Sequence, residues 1–192
     1  FILFLRSDIY DNVFKFNDAD KLHSVEEPIL WNADELKNLI ANRAQISLDL
    51  PVNLSTDDIW ELIFEEKING TPVSEYMINR TLYRPRDIIQ FCNASVSCAQ
   101  NNNHSIIEAN DILTAEKQYS FWKLKDALSE FVVQYPFLES AFILFRGFKN
   151  QFTYKELENH FNSAGMGKAS FSKLNDIGMN TLIQILFETG FL

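Results

Sequence analysis

"RTLYRPRDIIQFCN", residues 80–93, marks the start of a helix. Pro85 suits the first helical position, where a missing N–H removes nothing from the ladder. Asp87 then falls in the first turn, where a carboxylate is favoured by the helix dipole. Ile88, Ile89, Phe91, Cys92 and Val96 continue a broad apolar face, until "QNNNHS" at residues 100–105 stops it. Arg84 and Arg86 flank the proline at the end of the helix that repels cations, at a cost of roughly 0.3–1 kcal/mol each. Two readings follow for this pair. Either an anion sits at the helix N-terminus and both arginines bind it, or they form surface salt bridges to the acidic first seventy residues.

Upstream, "NADELKNLIANRAQISL" (residues 32–48) reads as a helix with Asn32 as N-cap and Glu35 in the capping-box position. "DLPVNLST" (49–56) is a linker. Thr56 or Asp57 caps a second helix through Ile59, Trp60, Leu62, Ile63 and Phe64. "INGTP" (68–72) breaks it, and "SEYMINRTL" (74–82) is a short helix leading into the opening motif. Downstream, a long helix begins near Ile106 and runs through Ile112, Ala115, Tyr119, Trp122 and Leu128 towards Pro136. Residues 57–135 thus read as a compact helical domain with short loops.

Residues 136–192 hold three more helices. "PFLESAFILFRGF" is the first. "FTYKELENHFN" is the second, with Thr153 and Glu156 as a capping box. The third runs from Met179 to Thr189, with Gly190 at the C′ position. Three short helices followed by "ETGFL" resemble a winged-helix module entering its wing. At the other end, "FILFLR" reads as a buried strand of a parallel sheet whose remainder lies upstream. Its polar end, Arg6, Ser7 and Asp8, occupies the place where open α/β sheets gather ligands.

The chain has 192 residues and a net charge of −9, unevenly spread. Residues 1–70 carry 6 Lys/Arg against 14 Asp/Glu, and residues 71–192 carry 11 against 12. No segment has the basic excess that drives general nucleic-acid binding. Seventeen Phe point to aromatic-rich helix packing. Cys92 and Cys98 lie about 240° apart round a helix and match no zinc or redox spacing, which suits reduced thiols in the cytoplasm. The five Asn-x-Ser/Thr sequons read as asparagine-rich composition. His23, His104 and His160 stand apart without ligand-spaced partners, so no metal is expected. No nucleophile elbow and no G-x-x-x-x-G-K-[ST] loop is present, so the segment carries no catalytic residues of its own. The apolar start is too short to cross a bilayer.

A strand ending "FLRSDIYD", then "LYRPRDIIQFCN", then "DILTAEKQYS" followed by "YPFL" resembles the C-terminal part of uncharacterised bacterial P-loop ATPases of the AAA+ and STAND group. The resemblance implies a mainly α fold in three units. These are the C-terminal edge of a nucleotide-binding core (1–56) with one strand left from a parallel α/β sheet, a helical lid (57–135), and a winged-helix-like module (136–192). It implies ATP with Mg2+ as the cofactor of the parent protein. Ser7 or Asp8, with Arg6 beside them, would match sensor 1. Arg86, and after it Arg84, would match sensor 2, reaching the phosphates from the start of a lid helix. The phosphate loop and the Walker B acid are absent from this sequence. A protein partner or self-association is expected of the tail. A different class is a winged-helix DNA-binding regulator, with Lys149, Lys155, Lys168 and Lys173 as its phosphate face. A third is a helical adaptor in which the arginines serve only ion pairs.

Overall fold

The computed structural model describes residues 2–4, 27–149, 151–164, 177–189 and 191. Helix α1 (Ala33–Ser47) starts where its cap chemistry places it. The Asn32 N–H donates to Glu35 Oε2 at 2.9 Å, and the Glu35 N–H donates to Asn32 Oδ1 at 2.9 Å. Its inward face buries Leu36, Ile40 and Ala41. Helix α2 (Thr56–Ile63) begins one residue before the expected cap. Ser55 is the N-cap, because Asp58 closes a reciprocal box with it. The Asn69-Gly70 break is more than a stop. It is the turn of a small antiparallel hairpin, β1 (Lys67–Ile68) with β2 (Thr71–Pro72). Asn69 and Gly70 have φ of 51° and 84°, the paired positive values that a tight two-residue hairpin turn requires.

Helices α3 (Val73–Arg80) and α4 (Pro85–Asn102) follow, with Pro85 at the first position of α4 and Asn103 closing it at φ 57°. Helix α5 (Ala109–Phe131) starts three residues later than its spacing suggested. Ile107 is held out of the helix by a long-range contact. Its N–H donates to the Ile63 carbonyl at 2.8 Å, and its own carbonyl accepts from Glu65 at 2.9 Å.

The first core gathers Leu36, Ile59, Trp60, Phe64, Met77, Ile78, Ile88, Phe91, Ile112 and Tyr119. It includes α1, which lies within the 1–56 unit expected from the sequence. The C-terminal part of α5 leaves this core. Leu124, Ala127, Leu128 and Phe131 pack instead on a second core of helices α6 (Leu138–Leu144), α7 (Tyr154–Ala164) and α8 (Met179–Glu188). Phenylalanines fill that second core: Phe145 meets Phe161 edge-on at 5.5 Å and Phe191 at 4.9 Å. The Thr153–Glu156 capping box opens α7, whereas Gly190 lies outside the described residues.

The described fold is mainly helical, and its one sheet is the β1–β2 hairpin. The expected N-terminal strand is not formed over its described residues. Ile2, Leu3 and Phe4 are exposed and carry no strand pairing. A strand needs a neighbour to accept its backbone bonds, and no described element offers one. Among the described residues, no helix is long and apolar enough to cross a membrane.

Candidate functional site

Three arginines lie within seven residues, and the fold treats them differently. Arg80, in the last turn of α3, is fully engaged. Its guanidinium lies 3.4 Å over the Tyr76 ring and pairs with Glu116 of α5. Glu116 also accepts from the Tyr76 hydroxyl at 2.6 Å. Burial, then the hydrogen bond and charge of Glu116, push the Tyr76 phenol up to about 12.

Arg84 and Arg86 are exposed and have no carboxylate partner among the described residues. The turn that delivers them is strained. Leu82 and Tyr83 hold φ of 49° and 56°, left-handed values that cost a residue with a Cβ on the order of 1–2 kcal/mol. Thr81 anchors the turn: it is fully buried and donates to the Ile78 carbonyl at 2.8 Å. The reversal leaves Leu82 and Tyr83 about half exposed, next to the two arginines. Arg84 is then extended (φ −95°, ψ 120°), as a residue before proline must be, and its carbonyl accepts the N–H groups of Asp87 and Ile88.

Asp87 does not neutralise the arginines. It is the acidic residue of the α4 first turn, but it is buried and faces α5. Lys123 Nζ lies 3.0 Å from Asp87 Oδ1 and 2.9 Å from Asp126 Oδ2. Burial opposes the Lys123 charge, but Asp126 and Asp87 outweigh it and raise its pKa, so Lys123 stays an ammonium. Beside it, Tyr119 stacks on Phe91 at 5.0 Å. Burial first, then the Asp87 charge, push its phenol up, while the Arg84 charge pulls the other way. The start of α4 therefore combines the positive end of the helix dipole with two guanidinium groups that have no carboxylate partner among the described residues. That combination binds an oxyanion well.

Arg84 and Arg86 are the predicted site residues that the fold brings together. Arg6, Ser7 and Asp8 lie outside the described residues, as do Lys168 and Lys173. Lys149 is paired with Glu156 at 2.5 Å, and Lys155 is exposed on α7. Sequence reasoning missed Lys123, which sits 36 positions from Asp87 and becomes its partner only when α4 and α5 pack. It also missed the turn at Leu82 and Tyr83, because neither residue type favours φ above zero.

A second polar cluster closes the α4–α5 corner. Asp111 is fully buried. It accepts from Asn102 Nδ2 at 2.7 Å, from His104 Nδ1 at 2.8 Å and from the Glu108 N–H at 3.0 Å. Both carboxylate oxygens of Asp111 are used internally. Among the described residues, no group of three or more His, Cys, Asp or Glu could hold a metal ion.

Two curated proteins are similar to this chain. One is the "Putative transposon gamma-delta 80.3 kDa protein" of Escherichia coli (strain K12), 24% identical over 200 aligned positions that cover 99% of this chain and 28% of the relative. The other is "Allergen Alt a 2" of Alternaria alternata, 24% identical over 149 positions, covering 74% of this chain and 78% of the relative. The chain thus spans little more than a quarter of the length of the first. No solved structure matches. Residues 34–128, from α1 to near the end of α5, match the family described as the FunZ-associated C-terminal helical domain.

Proposed function

We propose that this chain is the C-terminal part of a larger cytoplasmic P-loop ATPase. In this reading the α1–α5 bundle is a lid that senses the phosphates of ATP and Mg2+ through Arg86 and Arg84. The observation that carries it is the pair of exposed arginines at the start of α4, with no carboxylate partner among the described residues. The acidic residue of the same first turn, Asp87, does not neutralise them, because it is turned onto Lys123. The span of 28% of the Escherichia coli relative supports a place within a longer protein. Helix α5 supports a relay, since one continuous helix contributes to both cores. Contacts made to a terminal phosphate and lost on hydrolysis would then shift the lid and, through α5, the winged-helix-like α6–α8 module and its partner. The DNA-binding reading is weakened by the pairing of Lys149 with Glu156.

The test uses the full-length protein with ATP and Mg2+. Arg86→Ala lowers ATP turnover at least about tenfold, or ~1.4 kcal/mol, without changing the melting temperature. Arg84→Ala has the smaller effect. Unchanged turnover in both variants refutes the sensing role.

A further inference from the structure

The same edge of the molecule has a complement elsewhere on the chain. Between α1, α2 and the hairpin lies a groove of about 280 Å³. Its floor is the stacked pair Trp60 and Phe64, with ring centroids 4.7 Å apart. Asp57, Glu61, Glu65 and Glu66 stand around it, against the single ammonium of Lys37. Lys37 pairs with Asp57, the Ala109 N–H is bound by Glu65, and Lys67 pairs with Glu66. Glu61 is exposed and has no ion pair among the described residues. The groove is therefore aromatic below and net acidic at its rim.

Residues 82–86 are its opposite in charge and its match in character. The left-handed turn displays Leu82 at 51% exposure and Tyr83 at 44%, followed by two exposed arginines with no carboxylate partner among the described residues. Within one chain the two features do not meet, since no ion pair joins Arg84 or Arg86 to any rim carboxylate. We propose that the groove receives residues 82–86 of a second copy of this chain. Tyr83 and Leu82 lie towards the rings, and Arg84 and Arg86 pair with Glu61 and its neighbours. Groove and edge are different surfaces, so the contact is head-to-tail and propagates beyond a dimer unless its geometry closes a ring. The contact does not rest on nucleotide sensing. It requires only that the arginines be accessible, and a phosphate at α4 would compete for them.

The experiment is sedimentation velocity on this chain in nucleotide-free, low-salt buffer, over a wide concentration range. Wild type shows a mass that rises with concentration past two chains and falls when salt is added. Arg84→Glu with Arg86→Glu disables the edge, and Glu61→Lys with Glu66→Lys disables the groove. Each double variant loses self-association by at least about tenfold in dissociation constant. All four side chains are exposed, so circular dichroism should show unchanged helix content. An equimolar mixture of the two variants associates again, because the arginine edge of one meets the acidic groove of the other and the reversed glutamate edge meets the reversed lysine groove. A monomeric wild type, variants that associate like wild type, or a mixture that stays monomeric would each overturn the contact. None of those outcomes bears on ATP turnover by the full-length protein.

Discussion

Replacing Asp111 with asparagine tests the reasoning about the α4–α5 corner most sharply. The carboxylate has two oxygens and three donors aimed at them: the Asn102 amide, the His104 ring and the Glu108 N–H. A carboxylate only accepts, so all three are satisfied at once. An asparagine side chain of nearly the same size has one acceptor oxygen and an NH2 group with two donors. An N–H then faces another N–H unless Asn102 turns its own amide oxygen to it, and in either case the charge is gone. A hydrogen bond to a charged group is worth roughly 1.5–3 kcal/mol, and breaking a buried charged network costs about 3–5 kcal/mol. Against a total stability on the order of 5–15 kcal/mol, Asp111→Asn removes about a fifth or more. The expected fall in melting temperature is about 6–20 °C for a domain of this size.

The assay is urea and thermal unfolding followed by circular dichroism, repeated across pH. For Asp111, burial raises the pKa, but hydrogen bonds from His104, Asn102 and the Glu108 N–H outweigh it and the net shift is down. A depressed carboxylate stabilises above its ordinary value of 3.8, and that contribution is lost as pH falls through the lower folded value. His104 moves the other way. The hydrogen bond to Asp111 raises it, with burial opposing and the Asp111 and Glu108 charges adding. Its contribution is complete below the ordinary 6.5 and is lost as pH rises through the higher folded value. The gap between wild type and Asp111→Asn is therefore widest between about pH 4 and 6.5. A loss under about 1 kcal/mol, or a gap that does not change with pH, would refute this account.

Gly70→Ala lowers stability by about 1–2 kcal/mol through the backbone alone. An added Cβ meets nothing within 4 Å, but φ is 84°, and unfolding curves in urea measure the loss. Phe161→Ala costs about 3–5 kcal/mol, because the ring is fully buried among the second core's phenylalanines; loss of near-ultraviolet signal on heating reports it. Burial pushes the Cys92 thiol up to about 12, whereas Cys98 is only half-buried. A thiol reagent at pH 8 therefore modifies Cys98 slowly and spares Cys92 until denaturant is added, and rapid labelling of both in the native chain would contradict the packing.

Legibility followed the range of the interactions. The starts of α1, α4 and α7 could be read because Asn32 with Glu35, Pro85, and Thr153 with Glu156 act within one helical turn. The start of α5 could not, because Ile107 is held by Ile63, 44 positions earlier, which no local pattern records. The Asn69-Gly70 signal was visible, but not that the flanking residues would pair as a hairpin. The expected strand at the chain's start rested on an apolar run alone, and its described residues lie exposed.

The same division holds for the candidate site. Sequence by itself determined that a helix opens at Pro85 with two arginines on its electropositive end, since proline geometry and the helix dipole are local facts. Whether those arginines are neutralised is a tertiary question. Packing of α4 on α5 gives Asp87 to Lys123, packing of α3 on α5 gives Arg80 to Glu116, and Arg84 and Arg86 are left without carboxylates among the described residues. Charge pairing depends on distances of a few ångströms between residues tens of positions apart, and only the folded chain sets those distances.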